Sequence, residues 1–183
     1  MKTVRIFLAL LIFTLMFAQT VFSWGSRKTL KELVNSAPLI VSGKVLEVKP
    51  QVEKYLGQDN FIMTYVKLSV QNFIKGNNAE PILTIKIPGG QIGDRAIGGE
   101  LSFKFMKDEE ALLFLTPMDK NYYEIYGISG KLSVEKKVDG EYLDCSLLKE
   151  DEISEYGPDS TFKFENIVSR IEGYLAEKGG EIK

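Results

Sequence analysis

The sequence predicts a mainly β (α+β) fold, a small antiparallel barrel with one short helix ahead of it and one helix behind. Three observations carry this. Apolar and polar residues alternate over several runs, the two-residue period of a strand with one buried face. Clusters of Gly, Asn, Asp and Pro separate those runs at short intervals. Only two stretches, after Thr29 and after Phe164, repeat apolar residues at helical spacing.

Thr29-Leu30-Lys31-Glu32 has the Thr-x-x-Glu form of a capping box, and Leu30, Leu33, Val34 and Ala37 follow on one helical face before Pro38 ends the helix. Leu39 to Val48 is then a strand whose pattern changes phase near Gly43, as a bulge in a strongly coiled strand requires. Residues 50–60, with Pro50, Gly57, Asp59 and Asn60, read as a polar loop. Phe61 to Ile74 alternates, with Val66, Leu68 and Val70 on one face, and Lys75-Gly76-Asn77-Asn78 turns the chain. Ile82 to Ile87 forms the next strand, and a short strand is expected at Leu101–Phe105. Ala111 to Leu115 is apolar on both faces, which predicts a central strand or one lying under a helix. Tyr122–Tyr126 continues the β pattern, and Asp139-Gly140 predicts a type I′ hairpin between Lys131–Val138 and Glu141–Leu148. Ile167, Val168, Ile171, Tyr174 and Leu175 give the closing helix, Phe164–Lys178, an apolar stripe to lay on the sheet, with Gly179-Gly180 as its stop. Five to seven bent strands with flanking helices fit a partly closed barrel of the oligonucleotide/oligosaccharide-binding (OB) type.

Residues 1–23 have the pattern of a signal peptide. Lys2 and Arg5 precede an apolar run from Ile6 to Ala18 broken only by Thr14, and Ser23 puts a small residue before an expected cleavage point. The domain then starts at Trp24 and runs to residue 183, and the destination is secreted or periplasmic. Left uncleaved, the same segment would be a membrane anchor. Without it, 21 Lys and Arg face 25 Asp and Glu, a net charge of −4. That balance lacks the basic excess that nucleic acid binding draws on. The single cysteine, Cys145, excludes an intrachain disulfide and is expected to be buried and inert. There is no histidine, which removes Ser-His-Asp and Cys-His catalysis and imidazole metal ligation together.

The glycine-rich stretch from Lys86 to Glu100 is the most conspicuous motif, with glycines at 89, 90, 93, 98 and 99. It lacks the Gly-Lys-Ser/Thr of a phosphate loop and the spacing of a dinucleotide fingerprint, and Asp94 would repel phosphate. It predicts instead an exposed loop that leaves the Ile82–Ile87 strand at Gly89-Gly90 and returns at Gly98-Gly99. Gln91, Asp94 and Arg95 at its tip, together with Trp24, are the candidate binding residues; no catalytic residue, metal ligand or cofactor site is assigned. An acid pair Asp94–Glu100 would suit glycoside hydrolysis if the two converged in a pocket, and a serine–lysine dyad would have to use Ser42 or Ser129. The charged runs Asp108-Glu109-Glu110 and Glu150-Asp151-Glu152 read as solvated turns without calcium-loop spacing. Tyr55, Tyr122, Tyr123 and Tyr126 are strand aromatics that pack across strands or, less simply, offer a stacking surface.

Several segments in order carry a resemblance. They are Ala37-Pro38-Leu39-Ile40-Val41-Ser42-Gly43-Lys44-Val45, Thr64-Tyr65-Val66 through Lys75-Gly76, Ile87-Pro88-Gly89-Gly90, and Asp108 through Leu115. Across about residues 30–135 the sequence resembles a widespread group of exported microbial proteins of unknown function. That group is similar to the OB-type barrel of the tissue inhibitors of metalloproteases and the netrin modules. The resemblance implies the barrel. It does not imply protease inhibition, because those inhibitors bind zinc through an N-terminal cysteine and Trp24 stands here instead. The combined expectation is an exported, non-enzymatic module that binds an extracytoplasmic protein, peptide or glycan. The alternatives are a carboxylate- or lysine-based hydrolase and a structural envelope component.

Overall fold

The computed structural model describes residues 26–77, 80–98, 103–149 and 162–180. Trp24, Glu100, Leu101–Ser102 of the expected Leu101–Phe105 strand and the Glu150-Asp151-Glu152 run lie outside the described residues. Helix α1 (Leu30–Ser36) opens on the expected capping box. The Thr29 hydroxyl accepts from the Glu32 amide, and the Glu32 carboxylate accepts from the Thr29 amide at 2.8 Å. At its other end the Lys75 ammonium donates to the carbonyls of Val34 and Ala37 at 2.5 and 2.6 Å, capping orphan acceptors where α1 meets the sheet.

The strands are β1 (Leu39–Tyr55), β2 (Gln58–Lys75), β3 (Ile82–Pro88), β4 (Gly90–Ile92), β5 (Arg95–Ile97), β6 (Glu110–Pro117), β7 (Tyr123–Ile125), β8 (Lys131–Lys137) and β9 (Gly140–Leu143), followed by helix α2 (Phe164–Gly180). The main sheet has seven strands in the order β1-β2-β3-β7-β6-β8-β9, and β6 also pairs with β1. That extra pairing closes β1, β2, β3, β7 and β6 into a ring, the OB-like barrel. Its strands pair antiparallel except at β3–β7, which meet in parallel through one pair, Ile85↔Tyr123. The expected all-antiparallel barrel is therefore a mixed one. β7 follows the turn out of β6 and so runs in the direction of β3 where the ring meets.

Two cores lie on opposite faces of β6. Val41, Val45, Val66, Leu68, Leu83, Ile85, Leu113 and Leu115 fill the barrel. Ile40, Leu112, Phe114 and Leu132 point the other way, onto Leu30, Leu33 and Val34 of α1 and Ile167 and Ile171 of α2. This explains why Ala111 to Leu115 is apolar without alternation: both faces of the strand are covered. Gly43 sits where the β1–β2 register shifts, and a Cβ there would lie 2.4 Å from the Ser69 carbonyl oxygen. Cys145 is buried in the helix-side core, as expected.

Three local expectations are corrected. Residues 50–60 are not a loop; β1 and β2 run on as a two-stranded arm, paired through Tyr55↔Gln58 with Leu56-Gly57 as the turn. The polar composition there reflects an arm that leaves the core, so neither face needs to be apolar throughout. The β8–β9 turn is Val138-Asp139, one residue earlier than expected, because Lys137 pairs with Gly140. Neither turn residue has a positive φ, so the turn is not type I′. Residues 103–105 are not a strand but part of a segment pinned to β1, where the Val45 amide donates to the Glu109 carbonyl and the Asp108 amide to the Val45 carbonyl.

Candidate functional site

The glycine-rich stretch is a second hairpin rather than a simple loop. Gln91 pairs with Ala96 and Ile92 with Arg95, around a two-residue turn, Gly93-Asp94. Gly93 takes φ 57° at the first turn position, which the Gly-first pattern of a type II′ turn demands. The hairpin is laid against the β1–β2 arm by Gly89 and Gly90. The Gly89 amide donates to the Ile62 carbonyl at 2.9 Å, and the Thr64 hydroxyl donates to the Gly89 carbonyl at 2.7 Å. A Cβ on Gly90 would fall 2.3 Å from the Thr64 hydroxyl and 3.5 Å from the Pro50 ring, so the contact admits no side chain at that position.

Of the candidate binding residues, Gln91, Asp94 and Arg95 all lie exposed on this hairpin. They do not act alike. Gln91 donates to the Gly93 carbonyl at 3.0 Å and stiffens its own turn. Arg95 reaches across to the arm and donates to the Asn60 carbonyl at 2.5 Å. Asp94 is left in solvent at the tip. The barrel thus ends in two braced hairpins, the β1–β2 arm and the β4–β5 hairpin, whose tips carry the exposed apolar side chains Leu56 and Ile92.

A polar cluster backs the arm that sequence alone did not reveal. Tyr65 donates to Glu53 at 2.5 Å, and the Lys86 ammonium lies 2.6 Å from the other Glu53 oxygen. Lys86 also stands over the Tyr65 and Tyr122 rings, which meet edge to face with centroids 5.5 Å apart. Burial pulls the Glu53 carboxyl up, but the bonds from Lys86 and Tyr65 and the Lys86 charge outweigh it and hold the group below its ordinary value. Burial, then the Glu53 bond, pushes the Tyr65 hydroxyl up. For Lys86, burial acts downward and is outweighed by Glu53 and Tyr65, so its ammonium is held above the usual range. All three groups are locked in one protonation state at neutral pH. That suits a brace and not an acid–base pair, which needs a group poised near its working pH.

A second partly buried pair closes the barrel's other side. Lys131 and Glu109 lie 2.7 Å apart and are both about one-tenth exposed. The Ser133 hydroxyl donates to Glu109 at 2.8 Å and the Met106 amide at 2.9 Å, so the carboxylate is fully engaged. Neither candidate serine meets a lysine ammonium. Ser129 accepts from the Lys28 amide and donates to the Leu147 carbonyl, and Ser42 accepts from the Asn72 amide group at 3.2 Å. Among the described residues no group of three or more Cys, Asp and Glu is placed to hold a metal ion, and no helix is long and apolar enough to cross a membrane. A cleft of about 290 Å³ beside β8 and β9 is walled by Glu135, Lys137, Tyr142, Asp144, Cys145 and Phe162. Two of its polar side chains engage each other or a neighbour: Tyr142 donates to Asp139 at 2.6 Å, and Lys137 stacks over the Tyr142 ring.

No protein-family model matches the chain, and comparison with curated proteins returns no relative.

Proposed function

We propose that the chain is an exported, non-enzymatic binding module that holds an extracytoplasmic protein, peptide or glycan at the hairpin end of its barrel. The signal-peptide pattern of residues 1–23 supports export. The observation that carries the binding reading is the pair of braced hairpins, which present Gln91, Asp94, Arg95 and Leu56 in solvent on a rigid scaffold. The likeness to metalloprotease inhibitors and netrin modules enters as a scaffold only; protease inhibition is not part of the proposal.

The other two readings have less behind them. For the carboxylate- or lysine-based hydrolase, Asp94 stands exposed at a hairpin turn and its expected partner Glu100 lies outside the described residues, while Ser42 and Ser129 have partners other than a lysine ammonium. A structural envelope component would be expected to show a large exposed apolar patch or an unpaired strand edge. β1 has such an edge beyond Val45, where its backbone bonds to Asp108 and Glu109 stop, but Pro50, Lys49 and Lys54 lie along it and blunt strand addition.

The test is capture by the immobilised chain, carried out in parallel on the extracytoplasmic protein fraction of the producing cells and on peptide and glycan arrays. The expected result is a partner retained at about 0.15 M salt, where surface charge is screened beyond about 8 Å, and weakened by Arg95→Glu. Recovery of no partner from any of the three, alongside turnover of an ester or glycoside, would point to the hydrolase.

A further inference from the structure

The tip of the β1–β2 arm is built in a way that the fold does not require. Leu56 is the first residue of the turn and takes φ 47°, with Gly57 at φ 80°. Two consecutive positive φ values define a type I′ turn, for which Asn, Asp or Gly is the natural first residue. A leucine is disfavoured there, since its Cβ crowds the following carbonyl in the left-handed region. Leu56 is also 85% exposed, so the side chain recovers nothing by burial. The residue is unfavourable on both counts, and no contact within the described chain offsets either.

The rest of the arm is cross-braced by side chains. Tyr55 and Phe61 pack against each other behind the turn with ring centroids 5.2 Å apart, Lys54 and Asp59 pair across it at 3.3 Å, and Arg95 ties Asn60 to the second hairpin. A bulky side chain held in a strained conformation on a braced tip is a pre-organised knob.

Resting on the binding-module reading, we propose that Leu56 is the anchor of that surface and that the partner is a protein presenting an apolar pocket with a hydrogen-bonding rim. The chemistry of the tip selects this partner. A glycan platform needs a ring face open to solvent, whereas the apolar group offered here is aliphatic and the Tyr55 and Phe61 rings are turned on each other. A lipid surface needs a broad apolar face or several inserted groups. The apolar groups at this end, Leu56, Val52 and Ile92, stand singly, with Leu56 far the most exposed, and do not form a broad face; the paired Lys54 and Asp59 beside Leu56 sum to no attraction for an anionic headgroup. A single aliphatic knob with backbone and amide groups around it fits a pocket.

The test uses the full chain and three forms: wild type, Leu56→Asn, which keeps a residue suited to the turn, and Val138→Asn, a control at the other fully exposed turn, where φ is not positive. The first readout is thermal unfolding. Leu56→Asn is expected to melt at the wild-type temperature or about 1–4 °C above it. A fall of several degrees would mean that Leu56 serves the fold, and overturns the proposal. The second readout is titration of the protein captured from the extracytoplasmic fraction. Leu56→Asn should weaken binding at least tenfold, and Val138→Asn should leave it within about twofold. Equal affinity for wild type and Leu56→Asn overturns the anchor while leaving the binding module standing. Capture of no protein overturns the anchor and its protein pocket; the binding module falls as well only if the peptide and glycan arrays also retain nothing. The third readout is co-sedimentation with vesicles of phosphatidylcholine and phosphatidylglycerol. Binding lost in Leu56→Asn would assign the tip to lipid and overturn the protein pocket; no binding is expected.

Discussion

At the scale of single residues, Glu53 and Gly43 carry the clearest consequences. Glu53 sits below its ordinary value of 4.5 because Lys86 and Tyr65 hold its charged form against the cost of burial. A carboxyl whose value is depressed on folding contributes stability above its unfolded value, and loses it as pH falls through the folded one. The wild type should therefore lose part of its stability from about pH 4.5 downward. Glu53→Gln, less stable at pH 7 by about 1–2 kcal/mol, should lose less over the same window; thermal melts at about pH 7 and pH 3.5 compare the two. Lys86 and Tyr65 are both raised, so their contribution is present below their ordinary values and fades as pH rises through the folded ones. Gly43→Ala would drive a Cβ to 2.4 Å from a backbone oxygen that cannot step aside within the sheet. Urea unfolding should show a loss of roughly 1–3 kcal/mol. The importance of Gly43 could be read from the sequence, because a glycine interrupting an apolar strand has few other reasons to be there. That of Glu53 could not: its partners are set by strand register, and Lys86 is more than thirty residues away.

At the scale of elements, the legible pieces were those specified locally. The capping box of α1, the alternation of Val66, Leu68 and Val70, the two-sided apolar run of β6 and the α2 stripe each depend on neighbours within a turn or a strand. Element ends were less legible where length, rather than pattern, decides them. The β1–β2 arm continues past the core on backbone pairing and a few cross-strand side-chain contacts instead of a buried apolar face, so its residues are polar and resemble a loop. The β8–β9 turn lies one residue earlier than expected because the register pairs Lys137 with Gly140, and Asp139 in the turn accepts from the Tyr142 hydroxyl. Gln91, Asp94 and Arg95 are exposed as expected, but the hairpin that carries them, and the bond from Arg95 to Asn60, arise from a contact between elements distant in sequence. That bond has a direct test. Arg95→Ala should speed hydrogen exchange in the Gly90–Ile97 hairpin by about tenfold, a loss of roughly 1.4 kcal/mol of local stability, and leave the β6 amides unchanged. Equal speeding in β6 would show that the hairpin is part of the global unit instead of a separately held arm.

At the scale of the molecule, the two apolar cores lie away from the paired hairpins. Both cores share β6, and the helices pack on the face that points away from the barrel interior, so α1 and α2 are spent on holding the sheet. The ring is thinnest at the single parallel pair between β3 and β7, where Lys86, Tyr65 and Tyr122 reinforce it from outside. The free end is left to the two hairpins. The mainly β class and the flanking helices were legible because composition, turn spacing and periodicity agree on them. The proposed binding end was not legible, because it depends on which tips are brought together in space. The central claim is that the hairpin end is the binding surface. A hydrogen-exchange footprint of the full chain with its captured partner tests it most directly. Protection gathered in Val52–Phe61 and Gly90–Ile97, with α2 and β8–β9 unchanged, is the expected result; protection centred on α2 or the β8–β9 cleft, with both hairpins unaffected, would contradict it.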